Sequence, residues 1–113
     1  MLEFEYAREF IEQSEALVRQ HDTQKVTQVL VKAGQFSGLD IPRLHAEFDR
    51  LKPNTVCTDA ELLVETQRVR IYCRECFHEE DIDDLALECP KCGSTSTAII
   101  SGEDVYLMSV EME

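Results

Sequence analysis

An α+β fold is what this chain of 113 residues predicts: two helices on one face of a three-stranded sheet, with a small lobe inserted before the last strand. Three observations carry that expectation. Two segments with apolar residues at helical spacing alternate with two segments rich in β-branched residues. Two Cys-x-x-Cys pairs, with twelve residues between them, then occupy positions 73 to 92. A last strand-like segment, Val105 to Met112, follows them.

From Phe4 to Gln20 the apolar positions Phe4, Ala7, Ile11, Leu17 and Val18 recur at helical spacing, with Phe10 widening the stripe. Glu3 and Glu5 sit where the helix dipole is positive. After a break at His21-Asp22, the β-branched run Lys25 to Ala33 reads as a strand with Val29, Val31 and Ala33 on one face. Gly34-Gln35-Phe36-Ser37-Gly38 is a loop. Asp40 caps a second helix with Pro42 in its first turn, and Ile41, Leu44, Phe48 and Leu51 form its buried face. Pro53-Asn54 ends that helix, a strand runs from Ala60 to about Arg70, and Ala98 to Ser101 makes a short strand before the turn at Gly102. The expected organisation is a lobe of residues 1–69 plus 103–113, interrupted by a second lobe of residues 70–102.

The inserted lobe contains Cys73-Arg74-Glu75-Cys76 and Cys89-Pro90-Lys91-Cys92-Gly93. A Cys-x-x-Cys knuckle curls so that both thiolates face one ion, and two knuckles supply the four sulfurs that structural zinc prefers. Pro90 pre-sets the second turn, and Gly93 accepts a positive φ after the second thiol. Two disulfides, or four unrelated buried thiols, are the competing readings. With Cys73, Cys76, Cys89 and Cys92 all engaged, no coordination position is left for water or substrate, so the zinc holds a fold rather than catalyses. A lobe of about 33 residues buries too little core to fold alone, and zinc binding of roughly 10–16 kcal/mol would supply the difference. The lobe is therefore zinc-ribbon-like. Cys57, away from both pairs, reads as a small buried thiol at a strand start.

Eleven Lys and Arg against 23 Asp and Glu leave a net charge of −12. Between the knuckles the acidic run Glu79, Glu80, Asp81, Asp83, Asp84 reads as a solvated loop. Phosphate binding needs a basic stripe, so a nucleic-acid partner is not expected. No apolar run approaches a membrane span, and the acidic start Met1-Leu2-Glu3-Phe4-Glu5 does not read as a signal peptide. A cytoplasmic protein with reduced cysteines is the expectation. The sequence holds no phosphate-cradling Gly-rich loop, no nucleophile elbow and no His-Glu-x-x-His, so an enzyme is not expected.

Over essentially its whole length the chain resembles the HypA/HybF family of nickel-insertion accessory proteins for [NiFe]-hydrogenase. The resemblance is carried by Gly34-Gln35-Phe36-Ser37-Gly38, Tyr72-Cys73-Arg74-Glu75-Cys76, Cys89-Pro90-Lys91-Cys92-Gly93-Ser94 and Ile100-Ser101-Gly102-Glu103-Asp104. It implies structural zinc on Cys73, Cys76, Cys89 and Cys92. It also implies a transient Ni(II) site at Met1, Leu2 and Glu3, built from the terminal amine, backbone nitrogens and the side chain at position two. That family begins Met-His-Glu, whereas this chain begins Met1-Leu2-Glu3. Square-planar Ni(II) favours nitrogen donors, so losing the imidazole weakens the site. The leucine could disable nickel binding, mark a paralogue that no longer uses the site, or leave room for another donor.

The resemblance makes His78, two residues after Cys76, the candidate auxiliary metal ligand, while His21 and His45 read as surface or partly packed residues. The implied partners are a HypB-type GTPase, the hydrogenase large subunit and, in some relatives, urease accessory proteins. The implied function is a metallochaperone that assists nickel insertion. The alternative is a zinc-stabilised adaptor of metalloenzyme maturation that docks proteins without carrying nickel.

Overall fold

The computed structural model describes residues 2–83 and 86–113. Its elements are α1 (Leu2–Gln20), β1 (Val26–Gly34), α2 (Ile41–Leu51), β2 (Glu61–Gln67), β3 (Val69–Cys73), β4 (Glu79–Ile82), β5 (Thr97–Ser101) and β6 (Val105–Met112). They build two three-stranded sheets, ordered β2-β1-β6 and β4-β3-β5. The chain divides into two compact units. One holds the segment ending at Lys32 together with Leu39–Glu65 and Tyr106–Glu113, and the other holds Ala33–Gly38 and Thr66–Val105.

In the first unit α1 buries Ala7, Phe10, Ile11, Ser14 and Val18 along one stripe. Ser14 is the polar member, and it is satisfied locally: its hydroxyl donates to the Phe10 carbonyl at 2.7 Å. The Asp40 carboxylate caps α2 by accepting the Arg43 N–H at 3.2 Å, and Pro42 occupies the first turn, where no N–H is needed. Leu44 and Phe48 are fully buried. The two helices pack together and cover the face of the sheet to which β1 contributes Val29 and Val31. Lys25 and Glu113 exchange both backbone hydrogen bonds, at 3.1 and 2.9 Å, which pairs β1 and β6 antiparallel.

The second unit owes its shape to a core of Val69, Ile71 and Ile82, with Phe36 and Ile99 packed against it. Phe36 comes from the Gly34–Gly38 loop, which the sequence boundaries placed with residues 1–69. Its backbone is tied down by Gly34 N–H to the Asp104 carbonyl, Gln35 N–H to Gln67 and Phe36 N–H to Gly102, each at 2.8 Å. The loop crosses Gly102 so closely that a Cβ on Gly34 would lie 2.1 Å from the Gly102 carbonyl oxygen. Gly102 itself has φ +102°, and a Cβ there would meet the Val69 Cα at 2.6 Å. Only glycines fit this crossing.

Two of the expected strand boundaries differ from the structure. The single strand from Ala60 to Arg70 is two strands, broken at Arg68, because β2 pairs in one sheet and β3 in the other. The acidic run read as a solvated loop contains β4. Strand propensity is poor there, but pairing with β3 sets Arg70 opposite Asp81, with an ion pair at 3.1 Å, and drops Ile82 into the core. Asp84, from the same run, lies outside the described residues.

Gly102→Ala should destabilise the second unit by about 3 kcal/mol or more, since strain at positive φ and a backbone clash add. Gly93→Ala, where φ is +77° but no atom lies within 4 Å of the added methyl, should cost only about 1 kcal/mol. Urea unfolding of the two metal-loaded variants measures the difference.

Candidate metal centre

Two knuckles of the same construction face each other in the second unit. In the first, the Cys73 N–H donates to the His78 carbonyl at 2.8 Å and the Phe77 N–H to the Cys73 carbonyl at 3.0 Å. In the second, the Cys89 N–H donates to Ser94 at 2.9 Å and the Gly93 N–H to Cys89 at 2.8 Å. The fifth residue of each turn needs a positive φ. Gly93 supplies it in the second knuckle, as the sequence indicates, while Phe77 adopts φ +63° in the first. Phe77 leaves its ring exposed, tilted against Tyr72 at 6.2 Å. Its residue type carries no signal for that conformation.

β3 delivers Cys73 as its last residue, and the Arg74 N–H ties the first knuckle to the Ser96 carbonyl at 2.9 Å, just before β5. The sulfurs of Cys73, Cys76, Cys89 and Cys92 all lie within 4.8 Å of one another. Across the knuckles, Cys73 Sγ is 3.6 Å from Cys92 Sγ, and Cys76 Sγ is 3.6 Å from Cys89 Sγ. Disulfide sulfurs sit about 2.05 Å apart. Thiolates at about 2.3 Å from one zinc, in a tetrahedron, are separated by about 3.8 Å. The spacing fits a four-sulfur zinc centre and excludes two disulfides in this arrangement.

Electrostatics agree. The Cys76 N–H, aimed at Cys73 Sγ from 3.4 Å, is the main cause that lowers the Cys73 thiol to about 6. The Cys92 N–H likewise lowers Cys89. In Cys92 the Ser94 N–H pulls down, but burial and the three neighbouring thiols outweigh it, and its pKa is pushed up to about 12. Cys76 is raised in the same way, against the His78 N–H, by burial and by Cys89 and Cys73. Four sulfurs this close favour two thiolates and two thiols. A divalent cation at their centre is what lets all four ionise together.

His78 does not join the group: its Nε2 turns to Glu80 Oε1 at 3.3 Å. Neither His21 nor His45 belongs to a metal-ligand group among the described residues. Cys57 is fully buried in the turn before β2 rather than at a strand start, and its N–H donates to Thr55 Oγ1 at 3.0 Å. Burial raises its pKa. At the other end of the chain, Met1 lies outside the described residues. Leu2 opens α1 with its side chain partly exposed and offers no side-chain donor. Glu3 is buried, and its Oε2 accepts the Asp40 N–H at 3.4 Å. As first-turn amides, the N–H groups of Leu2 and Glu3 have no partner inside the helix. A partner carboxylate for Asp40 was not legible in the sequence, where only the helix-dipole role of Glu3 was visible.

The Hydrogenase/urease nickel incorporation, metallochaperone, hypA family model matches residues 1–112. The hydrogenase maturation factor HypA of Aquifex aeolicus is 36% identical over 113 residues, covering 100% of this chain and 98% of that protein. The factor of the same name from Campylobacter jejuni is 30% identical over 114 residues, with 100% of each covered. The solution structure of the Ni metallochaperone HypA from Helicobacter pylori superposes with a TM-score of 0.72 at 27% identity, covering 97% of this chain and 96% of that one. A second HypA solution structure gives a TM-score of 0.77 at 26% identity, with coverage of 98% and 95%. Among the described residues no helix is long and apolar enough to cross a membrane.

The geometry separates the five thiols by accessibility. In chelator-treated protein, the four knuckle thiols should react with an aromatic disulfide reagent within seconds to minutes. Cys57 should react only at the rate at which the first unit unfolds, at least tenfold slower, because it is both buried and held as the weaker nucleophile, the thiol. Mass-spectrometric mapping of the labelled cysteines checks the order.

Proposed function

The chain belongs to the HypA family of hydrogenase/urease nickel-incorporation metallochaperones, and on that premise we propose how its own residues divide the work. Cys73, Cys76, Cys89 and Cys92 hold a structural zinc, and the N-terminal residues Met1, Leu2 and Glu3 present a weak, transient site for nickel as cargo. The observation that carries this reading is the closed set of four sulfurs at tetrahedral spacing. Zinc, when bound there, supplies a redox-inert cross-link between the knuckles. Nickel must therefore be handled elsewhere.

At the N-terminus the donors are the Met1 amine and the backbone nitrogens of Leu2 and Glu3. The Glu3 carboxylate would have to leave the Asp40 N–H to join them. Leu2 contributes no imidazole, so the site holds nickel weakly. Weak, exposed coordination suits transfer, since release requires no unfolding. His78 stays a candidate auxiliary ligand only if it gives up Glu80. The partners that fit are a HypB-type GTPase and the hydrogenase large subunit, with urease accessory proteins as a second route. A net charge of −12 favours partners with basic contact surfaces and disfavours nucleic acid. The protein acts in the cytoplasm as a carrier and not as an enzyme. We propose residues 70–102 as the zinc lobe, to whose core the Gly34–Gly38 loop adds Phe36, with 1–69 plus 103–113 otherwise forming the nickel-handling lobe.

A second reading is favoured by Leu2 itself: an adaptor that docks maturation proteins and leaves nickel to others.

Elemental analysis of protein purified under reducing conditions should find one zinc per chain, and Cys76→Ser should lower zinc affinity by about tenfold or more and loosen β3, β4 and β5. A zinc-free, folded second unit would remove the zinc assignment. Calorimetric titration should show weak binding of about one Ni(II) per chain, abolished by N-terminal acetylation and tightened by about tenfold or more in Leu2→His. A flat titration of the wild-type chain would leave the adaptor as the surviving reading.

A further inference from the structure

The outer face of the β2-β1-β6 sheet is an apolar surface that neither helix covers. The mutual bonds of Lys25 and Glu113 fix the register of β1 against β6 at one end, and the Gly34 N–H bond to the Asp104 carbonyl fixes it at the other. The anchors lie nine residues apart on both strands, an odd separation that requires an irregularity in the ladder, and the alternation of burial breaks between Val26 and Val29 and between Met108 and Ser109, toward the Lys25 end. Counted from the Gly34 end, Lys32 lies opposite Tyr106 and Leu30 opposite Met108. Directly opposed residues share a face, so these four point away from buried Val29 and Val31. On β2, Glu65 reaches Lys32 at 3.9 Å, which brings Leu63 onto the same side. Tyr106 and Met108 are 43% and 42% exposed, and Leu30 and Leu63 are half-buried beside them.

We propose that this face docks a protein partner that brings apolar side chains ringed by Lys and Arg. Three strands of about seven residues span roughly 14 by 23 Å, an area on the order of 330 Å². A stable dimer needs about 800 Å² from each partner, so this face supports a transient complex. A second copy of the chain fits badly, since each brings a net charge of −12. The face carries Glu61 and Glu65 on β2, and Lys32 is already engaged by Glu65. An incoming basic rim meets complementary charge there, while Tyr106 offers a ring for a cation to stack on.

The test uses the zinc-loaded full chain, NMR titration at physiological salt and two eight-residue probes, one alternating Lys with Leu and one alternating Lys with Ser. The Lys/Leu peptide should bind at least tenfold more tightly, with shifts concentrated on Leu30, Leu63, Tyr106 and Met108. The double variant Tyr106→Ser, Met108→Ser should lose that tenfold while retaining the circular dichroism of the parent. Equal binding of the two peptides, or shifts centred on β4, would overturn the proposal, and so would a concentration-dependent dimer in sedimentation that the double variant abolishes. Should the double variant fail to fold, the comparison of the two peptides on the unaltered chain decides the matter alone.

Discussion

Sulfur–sulfur distances of 3.6 Å across two backbone turns set what the C-terminal half of this protein can be. At that separation four thiols cannot all ionise without a cation between them, and they cannot be paired as disulfides without moving the knuckles. Beside them, the apolar cluster of the second unit gathers, among the described residues, Val69, Ile71 and Ile82 with Phe36 and Ile99 half-buried against it. A metal held by the four sulfurs would add its binding free energy to that of this small cluster. Four sulfurs closed on one ion would leave no position for a transferred metal, which is why the proposed cargo site lies at the opposite end of the sequence.

At that end the physical situation is reversed. Among the described residues, the start of α1 offers first-turn amides without a partner inside the helix, a leucine without a side-chain donor, and a glutamate already committed to the Asp40 N–H. A tight site would need to release its ion against many bonds. A weak one gives it up on docking, which is consistent with a family named for nickel incorporation. Surfaces for docking then matter as much as ligands do. The uncovered sheet face, small in area and acidic at its margin, suits brief encounters.

Several of the motifs that carry the resemblance have packing reasons that become visible only in three dimensions. Gly34 is glycine because the Gly102 carbonyl passes where its Cβ would be, and Phe36 is aromatic because it completes the core of the second unit. The two motifs, far apart in the chain, are a single crossing. Phe77 is the counterexample: it holds the same backbone position as Gly93 without the residue type that usually permits it.

Much of this was written in the chain itself. Helical spacing located both helices, Asp40 and Pro42 announced the start of α2, β-branching located β1 and β6, and the cysteine spacing identified the four sulfurs before any coordinates. These are local signals, set by steric preference and by the reach of a short turn. The tertiary structure alone decided the rest. It broke the segment after Ala60 at Arg68, because the chain changes sheets there, and it made a strand of Glu79–Ile82, because β3 needed an edge partner and Arg70 could neutralise Asp81. It also assigned the Gly34–Gly38 loop to the unit that carries the cysteines. Those outcomes depend on which distant backbone offers hydrogen bonds and burial, a choice made by partners that no local window contains.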